Sequence, residues 1–164
     1  MNALRMLGLI SVALVLQTTL ARFLVRGSIG VDLVLVAVVY LSLKAGPTVG
    51  IVSGTVAGLA QDALTTGVVG IGGLGKTIVG YLAGTVGRAF IVAQPLPRFL
   101  VFFLATIVEM AIITLFHAVL DAGPSTVPAG AIVAQAFGNS LVGIVMFQLA
   151  ESVPRAIERR RAGR

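Results

Sequence analysis

GVVGIGGLGKT occupies residues 67–77, and from Gly70 onward it satisfies the phosphate-loop pattern G-x-x-x-x-G-K-[ST] at every required position. With a buried strand before it and a helix after it, such a stretch makes an α/β nucleotide-binding protein. Between two membrane helices, the same letters describe a chain reversal. The surrounding solvent decides between them, and composition identifies that solvent. Of 164 residues, 57% are apolar and 11% charged, with a mean hydropathy of +1.05. Soluble domains run at about 45–50% apolar and about 25% charged. A chain this short has too little interior to hide the excess. A lipid bilayer accommodates it.

Charges divide the chain into apolar segments at residues 6–21, 33–43, 45–61, 77–87, 99–120 and 129–150, with a Gly-rich stretch at 65–75 before the fourth. A membrane-crossing helix needs about 20 apolar residues, within a range of about 17–25. The fifth and sixth segments meet this directly, and the first does if Arg5 and Arg22 snorkel to the interfaces. The second and fourth reach it by recruiting residues 30–32 and 89–92. Backbone groups in hydrocarbon must be satisfied internally, and the runs lack the alternation of a membrane barrel. The expected fold is therefore all-α: a polytopic integral membrane protein of about six transmembrane helices, with five plus a re-entrant fourth as the alternative. Residues 1–153 form a single helical domain and residues 154–164 a basic cytoplasmic tail. The first apolar run follows Arg5 as in a signal peptide, but it ends in TTLARF without a small-x-small cleavage site, so it reads as a retained helix.

The basic residues set orientation. With six spans and the N-terminus inside, Arg5, Lys44, Arg88, Arg98, Arg155, Arg159, Arg160, Arg161 and Arg164 are cytoplasmic, whereas Arg22, Arg26 and Lys76 are outside. Nine against three puts both termini in the cytoplasm. The net charge of +6 is concentrated in the tail, with no basic face and no interleaved aromatics, so nucleic acid is not the partner. Lipid is: basic residues near an anionic membrane surface contribute about 1 kcal/mol each.

Chemistry is sparsely supplied. There is no cysteine, one histidine and six carboxylates, which excludes disulfides and thiolate chemistry and leaves no metal centre, cofactor site or nucleophile constellation. His117 is expected near the outer surface, one turn before Asp121. Gly50, Gly54 and Gly58 are four apart in the third segment and form a groove admitting another helix backbone. Gly80 and Gly84 form a shorter one. These grooves serve either internal packing or docking of a partner helix. Glu109, mid-span in the fifth segment, must be protonated, paired or facing a cavity. Its candidate partners are Gln135 and Asn139 on one face of the sixth helix and Gln17 on the first, making either an interhelical polar clasp or a ligand site.

Residues 31–73 resemble the rod-shape-determining MreD family. The shared plan is a first helix ending near Leu16-Gln17, a polar start to an apolar helix ending around Tyr40, and a Gly-rich helix closing with G-L-x-x-D at Gly58, Leu59 and Asp62. A loop with Gly70 follows. The family often has proline at the start of the second helix, where this chain has Val31. The resemblance implies a non-enzymatic scaffold of the bacterial elongation machinery in the inner membrane. Its implied partners are MreC and, with it, the glycosyltransferase RodA, a class B penicillin-binding transpeptidase and cytoskeletal MreB. The architecture is also similar to the substrate-binding components of vitamin-uptake transporters. This supplies a second reading, an uptake component with a cavity lined by Gln17, Glu109 and Asn139. A small ion-coupled carrier centred on Glu109 is a third. Asp62 is expected to cap or pin the outer loop. On all these readings the glycines of residues 70–77 let the chain reverse at the outer surface and Lys76 snorkels there, so no nucleotide is bound.

Overall fold

The computed structural model describes residues 3–23, 30–65, 69–89, 94–120 and 127–162, with side chains given for these apart from 20–23 and 153–162. Arg26, Gly67, Asp121 and Arg164, together with the side chains of Arg22 and the other tail arginines, lie outside what is described. Within the described residues the chain is all helical. Six helices run in the order α1 (Ala3–Phe23), α2 (Leu33–Ala45), α3 (Pro47–Ala63), α4 (Ile71–Ala89), α5 (Pro95–Val119) and α6 (Ala129–Ala162).

Helix boundaries follow local chemistry. Asp32 caps α2, its carboxylate accepting from the Leu35 N–H at 2.9 Å. A single residue, Gly46, ends α2 and starts α3; its φ of 90° is open to glycine, and Pro47 follows at the first helical position. Pro95 starts α5 in the same way. Three starts or stops differ from expectation. Helix α2 does not extend over residues 30–32, because Asp32 is its cap. Helix α4 begins at Ile71, so residues 71–75 of the Gly-rich stretch are helix and not loop. Helix α6 continues to Ala162, well past Pro154.

Two helices, α5 and the Ala129–Ser152 part of α6, are long and apolar enough to cross a membrane; α1 contributes a shorter apolar stretch over Ala3–Thr19. Helix α2 is different in kind. It has 13 residues, at about 1.5 Å per residue roughly 20 Å, and Val34 to Val39 are each no more than 1% exposed. It touches all five other helices, whereas α1 and α6 do not touch one another among the described residues. The bundle is thus a ring, open between α1 and α6, around a central apolar helix. The opening is an apolar groove of about 260 Å³ floored by Leu33, Val36 and Ala37. Arg98 pairs with Glu151 at 2.6 Å and lies over the Phe147 ring, 4.4 Å from its centroid.

Helices α3 and α4 pack closest of all, through glycine. A Cβ at Gly50, Gly54 or Gly58 would fall nearer than 3.0 Å to the backbone of Gly80, Lys76–Thr77 or Gly73, respectively, and one at Gly84 would strike Pro47. The groove anticipated on α3 is therefore filled by α4 of the same chain. Such backbone proximity, with its dispersion contacts and the 2.9 Å Thr55–Thr77 hydroxyl bond, holds the two helices together.

Substituting Gly54 by leucine should separate α3 from α4. Overpacking typically costs about 1–3 kcal/mol and sometimes more, and here backbone is struck, so loss of a monodisperse folded species in detergent is the expected result. Gly8→Ala, at an exposed site with nothing within 4 Å, should stay within about 0.5 kcal/mol of the parent. Equal behaviour of the two variants in thermal melts would refute the packing argument.

Candidate functional site

The polar groups gather at the N-terminal end of α2. The first N–H groups of a helix have no partner within it, and in a dry interior each must find one. The Asp32 N–H donates to Asn139 Oδ1 at 2.8 Å, Leu33 N–H to Gln17 Oε1 at 2.6 Å, and Leu35 N–H to Asp32 Oδ1. Asn139 Nδ2 in turn donates to Thr106 Oγ1 at 3.0 Å. Helices α1, α5 and α6 thereby supply side chains that close the exposed end of the central helix.

Lys76 enters the same cluster from α4. It is 3% exposed, with Nζ 2.9 Å from Asp32 Oδ2 and 2.5 Å from Glu109 Oε1. Position, not side-chain length, puts it there. Lys76 is the sixth residue of α4, and Gly73 and Gly75 beside it let α3 and the Glu109 side chain come close. The snorkelling lysine of the sequence reading is corrected: it does not reach solvent, because a helix where a loop was expected carries it into the bundle. Removing Lys76 from the outer charges leaves the inside excess intact.

The residues singled out in the sequence do not all come together. Gln17 and Asn139 bond to the backbone at the start of α2. Glu109, fully buried, bonds to Lys76 and to none of Gln17, Gln135 or Asn139. Gln135 is half-buried on α6 one turn before Asn139. Gly50, Gly54, Gly58, Gly80 and Gly84 lie in the α3–α4 contact. His117 Nδ1 lies 2.9 Å from the Ile113 carbonyl of its own helix. Sequence reasoning missed Asp32, Lys76 and Thr106 as members of the cluster. The signal was available in principle: an acid in mid-span requires a cation, and Lys76 follows directly on the Gly-rich stretch.

Asp62, at the end of α3, governs the phosphate-loop letters. Its Oδ2 accepts from Gly70 N–H at 2.8 Å and Gly73 N–H at 3.0 Å, and Gly70 has a φ of 106°. These are N–H groups of the α4 N-terminus, the groups a bound phosphate would require. The chain's own carboxylate occupies the anion position, and Lys76 points to two acids instead of to a phosphate. Among the described residues, no group of three or more His, Cys, Asp or Glu is placed to hold a metal ion.

A Gly-rich α3 running into Asp62, a Gly70 turn and a buried α2 make up the plan expected of one family, and comparison with known families decides it. The family model for rod shape-determining protein MreD matches residues 1–150. The chain belongs to the MreD family. No curated protein and no solved structure matches it. Membership places the chain among membrane proteins of rod-shape determination, in agreement with its apolar helices.

Two variants test the site. Lys76→Met should cost about 3–5 kcal/mol, because it leaves the buried Asp32 and Glu109 side chains without their shared cation. Asp62→Ala should cost about 1–2 kcal/mol through loss of the α4 cap. Thermal unfolding of the purified proteins ranks them, and a Lys76→Met protein as stable as the parent would overturn the ion-pair assignment. Equilibrium dialysis should show no saturable binding of adenine or guanine nucleotides by the parent protein.

Proposed function

We propose that this protein is a non-enzymatic scaffold of the cell-elongation complex in the bacterial inner membrane. In this reading six helices cross the bilayer with both termini in the cytoplasm, and the chain binds MreC. Through MreC it links cytoskeletal MreB to RodA and a class B penicillin-binding transpeptidase. The observation that carries the reading is the family match over residues 1–150.

The distribution of chemistry supports it. Glu109 and Asn139 are fully buried and engaged with protein groups, so the polar centre serves to join helices. The α1–α6 groove is lined by apolar side chains and does not include Gln17, Glu109 or Asn139, the side chains an uptake component would direct at its ligand. Recognition of partners is then left to the outer faces of the helices. On α3 and α4 these carry Val52, Val56, Ile78 and Leu82, all exposed. The glycines between the two helices face inward and are not available to a partner.

Photocrosslinking amino acids placed at Val52, Val56, Ile78 and Leu82, and at Val12 and Val145 beside the α1–α6 groove, provide the test in native membranes. MreC should be captured from at least one of these faces. Capture of a transporter ATPase or coupling subunit instead would overturn the scaffold reading in favour of an uptake component.

A further inference from the structure

The buried cluster of Asp32, Lys76 and Glu109 is not explained by scaffolding alone, and its charges do not balance. Two carboxylates face one ammonium. Glu109 is fully buried, and while Oε1 lies on Lys76, its Oε2 has no hydrogen-bond partner. The elements packed around it supply no second cation among the described residues. Helix α4 gives Lys76; α2 gives Asp32; α3 gives Asp62, a further acid turned to the α4 N-terminus. Helix α6 gives the neutral Asn139, already bonded to Asp32 N–H and Thr106, and α1 gives the neutral Gln17.

The two acids on Lys76 are not equivalent. Asp32 accepts the Leu35 N–H and stands at the N-terminus of α2, where both the cap bond and the helix dipole favour the anion. Asp62 has two N–H donors of its own at the N-terminus of α4. Glu109 sits in the body of α5, with one oxygen on the shared ammonium and the other without a hydrogen-bond partner. An ionised oxygen without a donor in a dry interior is a far costlier group than a carboxylic O–H.

We propose that the Asp32–Lys76–Glu109 cluster is a one-proton binding site, with an ammonium on Lys76, a carboxylate on Asp32 and the bound proton on Glu109 Oε2. The occupied site is neutral. Release of the proton from Oε2 leaves it with one negative charge, and the proton must pass to water through the outer end of the bundle. The inference is independent of which proteins the scaffold binds.

Infrared spectroscopy of the full-length protein in lipid nanodiscs at neutral pH tests it. The chain has three glutamates, Glu109, Glu151 and Glu158, and Glu151 is paired with Arg98. The expected result is a carbonyl stretch of an un-ionised carboxylic acid that shifts when glutamate carboxyls carry carbon-13, stays when only aspartates do, and is lost in Glu109→Gln. A folded parent protein without that band, or a band that moves with the aspartate label, would overturn the proposal without reference to any variant. Thermal melts add a second reading: Glu109→Gln, which mimics the neutral acid, should melt close to the parent and well above Lys76→Met. Equal loss in both would also overturn it.

Discussion

Lys76 Nζ touches one acid on α2 and another on α5 while its own backbone belongs to α4. Such a group cannot be left alone in a bilayer, where unpaired charge costs several kcal/mol by any scale. Its position is therefore specified by two partners at once. A slip of α4 by one turn along α3 would move Lys76 about 5.4 Å and break both contacts. The glycine row allows the approach of α4 to α3, and the ion cluster selects one register from the several that small residues alone would permit. Removing the charges would leave a hairpin with close packing and weak register.

The same cluster explains how a helix of 13 residues can sit at the centre of a membrane protein. Helix α2 spans about 20 Å against a hydrocarbon core of about 30 Å, so the chain flanking it must complete any crossing, and its N-terminal end lies inside the bundle. Its first N–H groups are met there by Asp32, Asn139 and Gln17, which come from three different parts of the chain. At its other end Gly46 turns the chain directly into α3, and the Gly46 N–H closes on the Ser42 carbonyl at 2.8 Å. The apolar body of α2 then needs no polar partner at all, which is why Val34 to Val39 can be uniformly aliphatic. Polar side chains on the surrounding helices serve the ends of the central one.

Much of this architecture was legible in the sequence. Charges bound the apolar runs, and the runs at residues 99–120 and 129–150 correspond closely to α5 and the apolar part of α6, since in a membrane an uninterrupted apolar run has few other forms. The family resemblance was visible in Gly58, Leu59, Asp62 and Gly70 and agrees with the family match. Less legible was the start of α4. Gly70, Gly72, Gly73 and Gly75 are poor helix formers in water, by about 1 kcal/mol each relative to alanine, and so read as a loop. In the bundle, close contact with Gly58 and Leu59 and the Asp62 cap outweigh that preference. The error carried over to Lys76, because a lysine at the edge of a loop is a surface residue and a lysine in the second turn of a packed helix is not. The pairing of Lys76 with Asp32 spans 44 positions of chain, and no local pattern encodes a contact of that range.

The letters GIGGLGKT thus hold a phosphate-loop pattern for reasons unrelated to phosphate. Gly70 is required by its positive φ, and Gly73 by the approach of α3. Lys76 is required by two acids, and Thr77 donates to the Gly73 carbonyl while meeting Thr55 across the interface. In a nucleotide-binding loop the free N–H groups and the lysine converge on one external anion. Here they diverge: the N–H groups take Asp62 on one side, and the lysine takes Asp32 and Glu109 on the other. The Gly70 and Gly73 N–H groups and the Lys76 ammonium already have acids of the same chain as partners. The motif is a description of small residues followed by a cation and a hydroxyl, and a tightly packed membrane hairpin with a buried ion cluster calls for the same three kinds of residue in the same order.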